Sequence, residues 1–166
     1  YGLVFERDKD GLITKQCGLD QRGQRLEAHP KPVECRFKRN QEGEVTRVRY
    51  HDAEDRPCLH WTDVYQVTQR FDGVGNCTEE QYFGAQVEAV TLFSGQHHKT
   101  TYGYDDQGNP SRQSTFGLDG EPVLNAHGYA SVSREHDANG KEKRVSYFGV
   151  SNDAVMCASV GAASVS

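Results

Sequence analysis

Apolar and aromatic residues take every second position ahead of a series of glycine turns. They are Leu3 and Phe5; Val33, Cys35 and Phe37; Val67 and Phe71; Thr100, Tyr102 and Tyr104. Period-two alternation bounded by Asp and Gly predicts strands with one packed face. Phe5 and Phe37 stand three residues before the turn, whereas the third stretch has Gln69 there and its ring at Phe71. Residues i and i+2 share a strand face, so the ring moves without changing sides, as a packing requirement would have it. The segments after the turns are polar, rich in Thr, Arg and Glu, and several close on an aromatic pair such as Tyr82-Phe83 or Tyr147-Phe148. Adjacent strand residues point to opposite faces, so one ring of each pair is expected in the core and the other on the far side. No apolar stripe at helical spacing runs through the chain, and 17 glycines interrupt it.

The turns recur. Gly11, Gly43, Gly75, Gly108 and Gly140 are 32, 32, 33 and 32 residues apart, and three residues before them stand Asp8, Asn40, Asp72, Asp105 and Asp137. Asp and Asn open such turns because their side chains bond backbone two residues on. Glycine supplies the positive φ that closes a hairpin. A second element aligns as Tyr50-His51-Asp52, Tyr82-Phe83-Gly84, Thr115-Phe116-Gly117 and Tyr147-Phe148-Gly149, and is degenerate in the first copy as Gly18-Leu19-Asp20. A third is a turn with an apolar exit, best seen in Asp119-Gly120-Glu121-Pro122-Val123-Leu124 and matched by Asp55-Arg56-Pro57-Cys58-Leu59. A fourth links copies: Gly128-Tyr129-Ala130-Ser131-Val132-Ser133 is echoed at Gly161-Ala162-Ala163-Ser164-Val165-Ser166.

A fixed period of this size marks a repeat architecture. The expected fold is all-β: one elongated array over 1–166 of antiparallel β-hairpin repeats, about five copies of roughly three short strands each. The copies run at about 1–30, 31–62, 63–95, 96–127 and 128–160, with 161–166 starting another. Tyr1 falls in mid-strand and the last residues open a new copy, so the chain reads as a fragment of a longer array. Uncapped sheet edges predict self-association.

Composition narrows the partners. The net charge is −5 and hydrophobic residues make up 35%, low for a compact globule and reasonable for a thin body. Arg36, Lys38, Arg39, Arg47 and Arg49 are the densest cations, with Glu42 and Glu44 among them, and there is no overall basic field for nucleic acid. No apolar run is long enough for a membrane span. The five cysteines, Cys17, Cys35, Cys58, Cys77 and Cys157, fall at different phases of the repeat and show no Cys-x-x-Cys. They read as small buried hydrophobes rather than as a metal or disulfide framework.

Chemistry has few places to sit. The turn residues Asp72, Asp105, Asp106 and Asp137, with Asn76 and Asn109, offer oxygens for calcium, but only one Asp per turn is regular, so turn capping is expected. His97-His98 is the only histidine cluster, and on a strand its rings diverge. The same holds for Glu79-Glu80 and Asp105-Asp106 as acid–base pairs. Gly128-Tyr129-Ala130-Ser131 does not match a nucleophile elbow, and its echo at Gly161 marks it as scaffold. The sequence therefore predicts no catalytic residues, no cofactor and no metal. Tyr50, Tyr82 and Tyr147 recur in phase, with Trp61, Tyr65, Tyr102 and Tyr129 elsewhere. The three in-phase tyrosines are the candidate binding residues for a protein or glycan, with packing between copies as the competing role.

Tyr104-Asp105-Asp106-Gln107-Gly108-Asn109, Phe116-Gly117-Leu118-Asp119-Gly120-Glu121-Pro122-Val123-Leu124 and Gly128-Tyr129-Ala130 together resemble a tandem repeat of bacterial multidomain proteins. Its form is Tyr-Asp-x-x-Gly-Asn, then Tyr-Phe-Gly-x-Asp-Gly-x-Pro, then Gly-Tyr-Ala. The likeness spans the chain and is strongest over 96–150; Arg7 and Arg39 replace the turn Tyr in the first two copies. The chain is also distantly similar to the YD repeats of RHS proteins, whose period is shorter, and to MORN-like hairpin arrays. The resemblance implies a β-repeat module with no established activity and no catalytic residues to carry over. The function expected is a non-catalytic interaction surface or spacer in a larger bacterial protein. The alternatives are a casing segment of an RHS-like toxin or adhesin, or a cell-wall polymer hydrolase. The resemblance points to the cell envelope or to secretion, the odd cysteine count toward a reducing compartment.

Overall fold

A computed structural model describes residues 2–19, 21–24, 34–60, 62–92, 97–157 and 164–165. Val33, Trp61, Asp20, the Gly161–Ala163 stretch and Ser166, all named above, lie outside the described residues. The protein is all-β. Eleven strands are hydrogen-bonded in chain order in one open antiparallel sheet, and no described residue is helical. The strands are β1 (Gly2–Arg7), β2 (Ile13–Leu19), β3 (Glu34–Arg39), β4 (Val45–His51), β5 (Gln66–Phe71) and β6 (Cys77–Phe83). They continue as β7 (Lys99–Tyr104), β8 (Pro110–Phe116), β9 (Ser131–His136), β10 (Glu142–Phe148) and the two-residue β11 (Ser164–Val165). The chain divides into two compact units. The first is Tyr1–Gln69 with Tyr82–Ala89, and the second is Arg70–Gln81 with Val90–Ser166.

The expected hairpin turns form where the Asp-x-x-Gly motifs lie. The Asp105 amide bonds the Asn109 carbonyl at 3.0 Å and the Gly108 amide returns to the Asp105 carbonyl at 2.9 Å, with Gly108 at φ +82°. A register shift at Gly103/Tyr104 marks a bulge beside this turn, and equivalent shifts occur at Glu6/Arg7 and Lys38/Arg39.

The third strand expected per copy is reduced to a single bridge. His51 pairs with Pro57 and Phe83 with Ala89 in the first unit, Phe116 with Pro122 and Phe148 with Ala154 in the second. In two of these bridges the partner is proline, which has no amide proton to extend a ladder, and in all of them a tight turn separates the partners. That turn reaches positive φ at Asp55 and Val87 in the first unit and at Gly120 and Asn152 in the second.

Each unit buries its core at the strand ends away from the Asp-Gly turns, where the connections fold back. The first unit buries Val64, Tyr65, Tyr82 and Cys17, and the second Ala130, Val132, Val145 and Cys157. In hairpin β1–β2 only Cys17 joins this core, and Leu3, Val4 and Phe5 are all exposed.

Candidate ligand-binding surfaces

Strand register divides the first unit's side chains between two faces. One carries Cys35, Phe37, Val48 and Tyr50, the alternating residues of the sequence pattern. The other is polar. Lys15 pairs with Arg36, Arg36 with Arg49 and Arg49 with Gln66, while Lys38 pairs with Arg47 and Arg47 with Thr68. Five cations, Lys15, Arg36, Lys38, Arg47 and Arg49, therefore share one face of β2–β4. Of the cations dense in sequence, Arg39 departs to the other face. Its Nη1 donates to the Gly43 carbonyl at 2.7 Å, as Arg7 does to Gly11. Arg7 and Arg39, each one residue before the Asp or Asn that opens its turn, thus brace the turn through its glycine carbonyl.

Glu34 organises the buried end of this face. It is 1% exposed and accepts from Arg36 Nε at 2.6 Å, Lys15 Nζ at 3.2 Å and Cys17 Sγ at 3.4 Å. Burial pushes its carboxyl up, but these bonds outweigh burial and hold it below the ordinary carboxylate range. Arg36 also pairs with Asp55, and Lys15 with Glu6. Directly across from Glu34 lies buried His51. Its Nε2 is 3.4 Å from the Tyr65 hydroxyl, and its Nδ1 has no partner among the described residues. Burial, then the nearby Arg36 charge, lowers the His51 pKa.

The Cys17–Glu34–His51 row brings nucleophile, acid and imidazole types together, yet all three are buried. The thiol donates to a carboxylate that Arg36 and Lys15 already hold, which leaves it a poor base. The arrangement is a packed polar network.

The three candidate tyrosines occupy equivalent strand positions in different settings. Tyr82 is 8% exposed, Tyr50 stacks on His60 with ring centroids 4.7 Å apart, and Tyr147 lies 4.9 Å from the Tyr129 ring. In the second unit Thr115 takes this position, where its hydroxyl bonds the Val123 carbonyl at 2.7 Å.

The turn carboxylates are engaged as caps. Asp72 Oδ1 accepts from the Val74 and Asn76 amides at 3.0 and 2.9 Å, Asp105 Oδ1 from Gln107 and Asn109 at the same distances. Among the described residues, no three His, Cys, Asp or Glu side chains group as metal ligands. The described cysteines are all free thiols.

The second unit holds a cavity of about 260 Å³, lined among others by Arg112, Ser114, Phe116, Pro122, Ser131 and Asn152. Sequence reasoning gave no role to Glu34, His51 or this cavity. The signal for them was a position-by-position comparison of copies: His51 stands where others have Phe83, Phe116 and Phe148. No protein-family model matches the chain, and no curated protein matches it.

Proposed function

We propose that the chain is a non-catalytic β-repeat module, an array of hairpins within a larger bacterial protein, and that it serves as an interaction surface. The observation that carries this reading is the cationic face of the first unit. Among the described residues Lys38, Arg47 and Arg49 make no ion pair there, while Lys15 and Arg36 are held in place by buried Glu34. Unpaired cations at strand spacing, beside two that Glu34 anchors, suit a partner with repeated acidic groups. Cys17, Glu34 and His51 by contrast sit in the buried network and Asp72, Asp105 and Asp137 cap turns, which favours binding over catalysis.

The partner class we favour is an acidic glycan of the bacterial envelope. Co-sedimentation with purified envelope polymers tests the reading. Saturable pelleting lost in the R47E/R49E variant supports it. No pelleting, or pelleting that this variant retains, opposes it. A preference for nucleic acid over every glycan would move the assignment to a different ligand class.

A further inference from the structure

We propose that the cavity of the second unit is a binding site for a single acidic sugar ring, a hexuronate or a chemically similar carboxylated monosaccharide unit. This deepens the glycan-binding reading and rests on it.

The cavity exists because three side chains are small. Ser114 pairs with Ser131, and the Thr115 amide bonds the Ala130 carbonyl. In the first unit Arg49 pairs with Gln66, and the Tyr50 amide bonds the Tyr65 carbonyl. The bridges also correspond, Phe116 with Pro122 and His51 with Pro57. By these backbone matches Ser114 replaces Arg49, Ser131 replaces Gln66 and Ala130 replaces Tyr65. In the first unit the large side chains hold one another. Arg49 Nε donates to Gln66 at 2.8 Å, the Arg49 Cζ lies 5.8 Å from the Tyr65 ring centroid, and the Tyr65 hydroxyl meets His51. In the second unit the same backbone leaves open space.

The groups facing that space are unspent. Arg112 makes no ion pair among the described residues; its Nε contacts the Ser114 hydroxyl at 3.4 Å, leaving the rest of its fork available. Ser131 is 6% exposed, and no side-chain hydrogen bond is seen for its hydroxyl among the described residues. Asn152 sits at φ +61°, and its amide side chain is likewise without a described partner. Among the described residues no carboxylate lines the cavity; Phe116 and Pro122 form an apolar wall, with the Lys99 ammonium 4.8 Å from the Phe116 ring centroid.

One cation, hydroxyl and amide groups and one apolar wall match a carboxylated pyranose. Arg112 takes the carboxylate through its planar fork. Ser131 and Asn152 bond ring hydroxyls, and the C–H face of the sugar covers Phe116. The volume falls below the roughly 300–1,000 Å³ usual for drug-sized ligands, which limits the guest to about one ring.

The test is titration of the full chain with methyl glucuronide and, separately, methyl glucoside, followed by NMR shifts of the Ser131, Gly149 and Asn152 amides. The expected result is saturable shifts with glucuronide, at least about tenfold weaker binding of glucoside, and a similar loss of glucuronide binding in R112M. The A130Y variant, which restores the first unit's side chain, is expected to abolish binding. R112M alters an exposed side chain and keeps the test readable if A130Y fails to fold. No glucuronide binding, equal binding of both sugars, or full binding by R112M would overturn the proposal. Pelleting with envelope polymer judges the module reading separately: retained pelleting with no glucuronide binding sinks only the cavity assignment.

Discussion

The Tyr65 hydroxyl lies 3.4 Å from His51 Nε2, and the two rings meet edge to face at 5.6 Å between centroids. This pair occupies positions that are Ala130 and Phe116 in the second unit. It joins the first unit's core to the polar network around Glu34.

That network makes stability pH-dependent in two stages. His51 has a folded pKa below its ordinary value, from burial first and then Arg36, and burial lowers that of His60 as well. A depressed folded pKa contributes stability that is complete above the unfolded value and is lost as pH falls through the folded one. Stability should therefore decline as pH drops below about 6.5. The H51F variant, which installs the residue of the other copies, should flatten much of this first stage and leave the His60 share. A second loss below about pH 4 follows from Glu34, Asp72, Asp105 and Asp137, whose carboxyls are all held low. Urea midpoints from pH 8 to pH 3 check both stages; an unchanged profile in H51F would remove His51 from the account.

Removing the Glu34 carboxylate leaves Lys15 without its buried partner. E34Q is expected to cost about 3 kcal/mol, at the low end for a broken buried pair because Lys15 and Arg36 remain partly solvated. Chemical denaturation measures it, and a neutral result would show that the ion pairs contribute nothing net.

Tyr82 separates packing from recognition. Y82A should destabilise by about 3 kcal/mol, since the ring is almost wholly buried. The half-buried rings of Tyr50 and Tyr147 should cost less. Thermal melts of the three single variants decide this: equal, small losses would favour a surface role for all three.

Val87 is a β-branched residue at φ +64°, at the turn position where the second unit has Asn152 at +61°. Such a conformation costs a branched residue roughly 1 kcal/mol, and Asn tolerates it better. V87N should raise the urea midpoint; a lowered midpoint would mean that Val87 packing outweighs the strain.

β1 ends the strand order with Leu3, Val4 and Phe5 exposed. We expect concentration-dependent self-association through this edge, weakened by V4K, because an edge charge blocks strand pairing. Sedimentation at low and high concentration tests it, and a strict monomer throughout would refute it.

Much of the fold was legible because it is local. Asp-x-x-Gly turns at a fixed period placed the hairpins, since a short motif sets a turn without help from distant residues. The third strand was overestimated because apolar residues such as Val123 and Val155 look like strand yet only return to Thr115 and Tyr147 with one amide each. The polar sites were not legible from any one copy. Glu34 and His51 lie far apart in sequence and meet only through β3–β4 register, and the cavity depends on Ala130 standing where Tyr65 stands elsewhere. The cations dense in sequence mislead in part, since alternation sends Arg39 to the opposite face and brings in Lys15 from β2.

The measurement that tests the central claim most directly is a binding isotherm of the full chain on an acidic envelope polysaccharide at low and high salt. The account predicts saturable binding that weakens steeply with salt and is lost in R47E/R49E. Absent binding, or binding indifferent to salt and to those two arginines, would contradict it.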